Sequence, residues 1–148
     1  MTGLAAADAP VLAPDFTLRA VNGPNLRLYE QRGRVVLVNF WASWCRACLA
    51  MTPQLNRLHD KYGAAGLLTL GVSVDEDPAR AAAIAAKLGV RFTVLLDSEK
   101  KVARLYDPTA MPMTLLIDRD GRVRHVHAGY REGSADLFES QIQELLAQ

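Results

Sequence analysis

The sequence predicts an α/β domain in which helices flank a mixed central sheet. Three observations lead there. The stretch 35–40 begins as an unbroken apolar run with β-branched members, residues 35–38, the pattern of a strand buried on both faces. Helical periodicities alternate with this run and with shorter apolar runs, as in β–α–β units. Near the end, Met113–Ile117 and residues 122–127 are joined through Asp118-Arg119-Asp120-Gly121, a hairpin signal that adds antiparallel pairing.

Each element has its own signature. Residues 15–19 and 25–28 are short strand candidates around Val21-Asn22-Gly23-Pro24, a turn signal, and suggest an N-terminal β-hairpin. After the central strand, Cys48, Met51, Leu55, Leu58 and Tyr62 fall at steps of three and four, one buried helical stripe. Pro53 inside that pattern predicts a kink, and Gly63 and Gly66 end the helix. Residues 67–74 form the next buried strand. Asp77-Pro78 pairs an N-cap with proline at the first helical position, opening a helix with Ala81, Ile84, Ala85 and Leu88 on one face and Gly89 as its stop. Residues 92–96 read as a strand, after which Ser98 caps a short helix carrying Val102, Leu105 and Tyr106. The last helix, from about Ser134, buries Leu137, Phe138, Ile142, Leu145 and Leu146.

Size and charge narrow the function classes. At 148 residues and 50% hydrophobic content the chain is one domain with a real core, 15–148, behind a flexible alanine-rich lead-in, 1–14. A net charge of +1 gives no reason to expect a nucleic-acid or anionic-membrane partner. No apolar run approaches the roughly 20 residues of a transmembrane helix. Residues 1–10 have neither the basic start nor the apolar centre of an intact signal peptide, and their composition suits a linker left after a leader or anchor was removed.

The chemistry lies between the central strand and the helix that follows. The only two cysteines, Cys45 and Cys48, stand there three residues apart. A first thiol at a helix N-terminus meets unpaired N–H groups and the positive end of the helix dipole, which favour the reactive thiolate. A second thiol one helical step behind can attack a mixed disulfide formed at the first, so the pair can pass two electrons to or from a protein disulfide. Competing readings are weaker. A structural zinc site needs four ligands and this chain has one cysteine pair. A structural disulfide here would close too short a loop to constrain much chain, and inert buried thiols are out of place in a strand-to-helix turn.

The run Val38-Asn39-Phe40-Trp41-Ala42-Ser43-Trp44-Cys45-Arg46-Ala47-Cys48, with Pro53 five residues on, resembles the TlpA/ResA/CcmG group of envelope thiol-disulfide oxidoreductases in the thioredoxin superfamily. The similarity extends to Ala13-Pro14-Asp15-Phe16-Thr17-Leu18, Val94-Leu95-Leu96-Asp97, Met111-Pro112-Met113-Thr114-Leu115-Leu116-Ile117-Asp118 and His127-Ala128-Gly129, nearly the whole chain. The resemblance implies a thioredoxin fold with an added N-terminal hairpin and a central βα insertion. It implies that Cys45 is the exposed nucleophile, that Cys48 is the buried resolving thiol, and that Pro112 follows a cis bond and faces the pair. Met111 is then turned so that its backbone can pair with an extended substrate.

Departures from the family pattern bear on mechanism. Ala47 stands where the family usually has proline. Arg46 beside Cys45 should stabilise the thiolate and make the pair more oxidising, or else be solvated and contribute little. Met51 stands where the family often has glutamate, and Asn39 where thioredoxin has a buried aspartate. With neither carboxylate, Cys48 is deprotonated by water or substrate groups and resolution is slow at neutral pH. Trp44 resembles the family's indole beside the nucleophile, a substrate-surface or core residue, while Trp41 packs against the sheet. His125 and His127, at strand spacing, face the same way and are expected to be exposed; a metal role with the cysteines, as in copper-handling relatives, needs a different cysteine spacing.

These residues point to a monomeric periplasmic or envelope-anchored reductase of protein disulfides, without cofactor or metal, re-reduced by a membrane thiol-disulfide donor that the resemblance alone implies. Apocytochrome c, as in cytochrome c maturation, a copper-site assembly protein and general envelope disulfides fit as substrates. The alternatives are a copper chaperone using the cysteines and a histidine, and a thiol peroxidase of the same fold. Against the latter, no Pro-x-x-x-Thr-x-x-Cys segment surrounds Cys45.

Overall fold

The seven residues of β4, Val35–Trp41, are all buried, and the rest of the computed structural model, which describes residues 10–148, is built outward from them. β4 runs parallel to β5, Leu67–Ser73, and antiparallel to β7, Met113–Ile117. Beyond these lie β6, Thr93–Leu96, parallel to β5, and β8, Arg122–Ala128, antiparallel to β7. The hairpin of β2, Thr17–Ala20, and β3, Leu26–Arg27, adds to β6, while β1, Val11–Leu12, adds to β8. The strand order is therefore β1-β8-β7-β4-β5-β6-β2-β3, a mixed sheet with the expected N-terminal hairpin.

Adjacent residues of β4 face opposite helical layers. On one side Asn39 meets Met51 of α1, Arg46–Tyr62. On the other, the Phe40 ring lies 5.5 Å from that of Tyr106 in α3, Lys101–Tyr106. α4, Ser134–Leu146, shares the α1 side, since its Glu139 accepts hydrogen bonds from Tyr62, Lys61 and Arg57 at 2.5, 2.7 and 3.1 Å. Helix α2, Pro78–Lys87, opens as its sequence predicts, with Asp77 Oδ1 accepting from the Ala79 N–H at 3.0 Å. The α1 stripe is buried as its period predicts, and Pro53 sits on the exposed side of one helix that continues through it.

Several expectations need correction. Residues 1–9 of the expected lead-in lie outside the described residues. From Val11 the chain is a strand, and the Ala13 N–H bonds the Gly121 carbonyl at 2.9 Å. A two-residue strand has no periodicity to read; its partner across the sheet creates it. Ser98 does not cap α3: the N-cap is Lys100, and the Asp97 carboxylate three residues before it accepts from the N–H groups of Val102 and Ala103 at 3.2 and 2.8 Å. The apolar stripes are also narrower than their periods suggest. Leu88, Leu105 and Leu137 are exposed, because in α3, for example, Val102 and Tyr106 one turn apart fill the inward face and leave Leu105 at its margin.

Candidate functional site

β4 ends at Trp41, whose carbonyl still accepts the Val74 N–H beside it, and the chain then loops through Ala42–Trp44 into α1. Cys45 is the N-cap of α1, in an extended conformation, and its Sγ accepts the Cys48 N–H at 3.2 Å. One of the helix's unpaired N–H groups thus points at the first sulfur, where it and the helix dipole stabilise negative charge. Cys45 and Cys48 are joined as a disulfide, with Cα atoms 5.3 Å apart. Cys45 is 8% exposed and Cys48 3%, so the expected openly exposed first cysteine is, in this oxidised pair, only the less covered of two buried ones. Its exposure comes through the rim, where Trp44 is 66% exposed and Arg46 and Ala47 face solvent.

A buried carboxylate that the motif does not announce holds this loop in place. Asp75, just past β5, accepts from the Ser43 N–H at 2.9 Å, the Ser43 hydroxyl at 2.6 Å and the Ser73 hydroxyl at 2.7 Å. These bonds satisfy a buried charge and pin the backbone two residues before Cys45. The signal in the sequence is Ser73-Val74-Asp75 at a strand end, but the partnership with Ser43 exists only once β4 and β5 are paired.

Behind Cys48 the surroundings carry no charge. Met51 is fully buried, and Asn39 donates from Nδ2 to Thr114 Oγ1 at 3.1 Å and to Met51 Sδ at 3.6 Å. The Trp41 indole lies over Gly71, where a Cβ would come within 3.2 Å of Nε1 and 2.8 Å of the Phe92 ring. Glycine is required there because two rings occupy the space of a side chain.

The segment before β7 closes the site. Met113 pairs with Phe40, so Pro112 abuts the end of β4 from which the cysteine loop departs. The Met111–Pro112 bond is cis, and the Pro112 carbonyl accepts the Gly129 N–H at 2.7 Å. Met111 is half-buried, and its N–H and carbonyl take no backbone partner among the described residues.

The histidines are placed elsewhere. Both are half-buried under α4 rather than exposed: His127 bonds Gln141 Oε1 at 2.6 Å and packs 4.8 Å from the Phe138 ring. Burial holds the His125 pKa below the usual imidazole range, with Glu144 at 3.7 Å opposing that shift. Among the described residues no group of three or more His, Cys, Asp or Glu side chains is placed to hold a metal ion.

A disulfide-forming pair at the N-terminus of a helix, fed by the central strand of such a sheet, agrees with what the chain resembles. Residues 11–126 match the model of the AhpC/TSA family. The chain belongs to this family. Within it, the chain is a thiol-disulfide oxidoreductase of the ResA and DsbE type. It is 34% identical over 117 residues to the thiol-disulfide oxidoreductase ResA of Geobacillus thermodenitrificans, covering 79% of this chain and 67% of that one. The ResA of Bacillus subtilis is 32% identical over 117 residues, with 79% and 65% covered. The chain thus spans about two thirds of these relatives' length. Among solved structures, a candidate thiol:disulfide interchange protein DsbE from Chlorobium tepidum superposes with a TM-score of 0.90 at 35% identity, covering 94% of this chain and 98% of that one. These likenesses place the oxidoreductase in the thioredoxin fold.

Proposed function

We propose that this oxidoreductase acts as a monomer on the periplasmic side of an envelope and reduces disulfides in partner proteins through its Cys-Arg-Ala-Cys pair. What supports the reading is the asymmetry of the dithiol: Cys45 lies under an exposed rim at a helix N-terminus, and Cys48 sits one turn deeper. The Cys45 thiolate attacks a substrate disulfide, forming a mixed disulfide and releasing one substrate thiolate. Cys48 then attacks Cys45 Sγ, the second substrate thiolate leaves, and the Cys45–Cys48 disulfide remains. A membrane dithiol donor returns two electrons and two protons to reset the pair. The unpaired Met111 backbone offers a donor and an acceptor to an extended substrate beside the sulfurs, and Trp44 offers it an apolar face.

The deciding measurement is the reduction potential of the pair against glutathione or dithiothreitol, followed by tryptophan fluorescence. A value near or below about −200 mV supports the reductase; a value near about −120 mV, the range of strong oxidants, makes the protein an oxidant of its partners. In parallel, Cys48→Ser incubated with a protein disulfide accumulates a mixed disulfide through Cys45, and Cys45→Ser accumulates none. The opposite pattern would reverse the two roles.

A further inference from the structure

Several arginines of this domain have fixed partners. Arg27, Arg57, Arg91 and Arg124 form ion pairs with Asp15, Glu139, Asp60 and Asp118, and Arg119 donates to the Gly33 and Leu146 carbonyls. Others, Arg46 and Arg131 among them, are exposed and have no ion pair or hydrogen bond to the guanidinium among the described residues. What sets these two apart is where the sheet puts them. β7 is antiparallel to both its neighbours, β4 and β8, so the segment leading into it, with Met111, lies between the ends of those two strands. Arg46 follows the end of β4, directly after Cys45. Arg131 follows the end of β8, in a turn held by the Gly129 N–H on the Pro112 carbonyl and by the Arg131 N–H on Ser134 Oγ at 3.0 Å. Neighbouring strands lie about 5 Å apart, so a segment laid along Met111 runs between the two cations. The carboxylates of this pole do little to oppose Arg46: Asp75 is buried and committed to Ser43 and Ser73, and exposed Glu76 lies 3.7 Å from Lys100. Exposed Glu132 stands next to Arg131 and offsets that arginine, which leaves Arg46 as the unopposed cation beside the dithiol.

We propose that Arg46 selects client disulfides by charge, favouring those with a carboxylate side chain two residues from the attacked cysteine. The proposal rests on the reading of the pair as acting on protein disulfides, with the client extended along Met111. Side chains of an extended strand alternate, so when a client cysteine points at Cys45 the residues two positions away face the same surface, about 7 Å along the chain. The residues immediately beside the cysteine face away from it. A guanidinium presents a planar fork of donors that a carboxylate accepts in pairs, whereas a client lysine at that position meets a like charge. Arg46 therefore acts on the choice of client and the rate of encounter, and leaves the chemistry of the sulfurs to the groups around them.

The test mixes the reduced protein with short peptides, each closed by one disulfide and carrying Glu, Gln or Lys two residues from one cysteine. Oxidation of the Cys45–Cys48 pair, followed by tryptophan fluorescence at low salt, gives a second-order rate constant for each peptide. Dividing each constant by that of Arg46→Gln cancels the peptides' own reactivity. The quotient for the Glu peptide is then about fivefold larger than that for the Lys peptide, the upper range of an exposed ion pair. Arg46→Glu reverses the order, and high salt removes it. A merely structural role, or an effect on Cys45 alone, would change the rates of all the peptides by one common factor. Glu-to-Lys ratios that stay the same in the unmutated protein, Arg46→Gln and Arg46→Glu overturn the proposal. Failure of the underlying reading looks different: the unmutated protein would leave every peptide oxidised while still reacting with the small disulfide of 2-mercaptoethanol.

Discussion

The two ends of α1 are built in opposite ways. At the C-terminal end, Glu139 draws Tyr62, Lys61 and Arg57 around one carboxylate, with the Tyr62 hydroxyl also accepting from Gln143 at 2.8 Å, and the cluster binds α1 to α4. At the N-terminal end the groups behind Cys48 are a thioether, an amide and an indole, and the Arg46 cation beside Cys45 forms no ion pair among the described residues. The stabilising end uses side-chain charge; the reactive end uses backbone N–H groups and the helix dipole, which no side-chain substitution removes. Stability and sulfur chemistry are thereby separated along one helix.

The sharpest break in that contrast is the one carboxylate at the reactive end. Asp75→Ala would leave the Ser43 N–H and two hydroxyls without their acceptor, and urea unfolding should show a loss of about 3 kcal/mol, since each abandoned buried polar group is costly. A loss under about 1 kcal/mol would mean that the cysteine loop holds itself in place. At the far end, hydrogen bonds from Lys61 and then Tyr62 pull the Glu139 pKa down to about 2. Its folded value lies below its unfolded one, near 4.5, so its contribution is present above pH 4.5 and disappears as the pH falls towards 2. Glu139→Gln should cost about 1–2 kcal/mol at neutral pH, discounted for partial solvent screening, and flatten that acid limb in urea titrations at several pH values.

Placing charge where the molecule has none tests the other half. Met51→Glu should raise the rate of mixed-disulfide resolution at neutral pH about a hundredfold, the lower end of general-base effects. Equal rates would show that proton removal from Cys48 is not limiting. The smallest effect belongs to Arg46. Because it is exposed, Arg46→Ala should move the reduction potential down by less than about 20 mV, the counterpart of an exposed charge interaction worth under about 1 kcal/mol. A much larger drop would show that Arg46 sets the redox poise.

The parts of the fold legible in the sequence are those fixed by local pattern. The central strand, the Cys48–Tyr62 stripe, the Asp77-Pro78 helix start and the closing hairpin are each written in consecutive residues, and the structure has them. The cysteine pair was legible for the same reason. Features made by pairing distant segments were not: β1 exists because Arg122 and Val123 run beside it, and the Asp75–Ser43 clamp because β4 and β5 align. The histidines were misjudged as exposed because strand spacing gives a common face but not what covers it, here Phe138 and Gln141.

The position of β1 has a geometric consequence. Val11 and Leu12 lie opposite Val123 and Arg122 at the start of β8, whereas the other end of β8, Ala128, lies beside Met113 and the sulfurs' end of the sheet. Five residues of extended chain separate these points, about 17 Å. β1 is thus held on the half of β8 away from the dithiol, while its own direction, antiparallel to β8, sets Val11 one step nearer the sulfurs' end than Leu12.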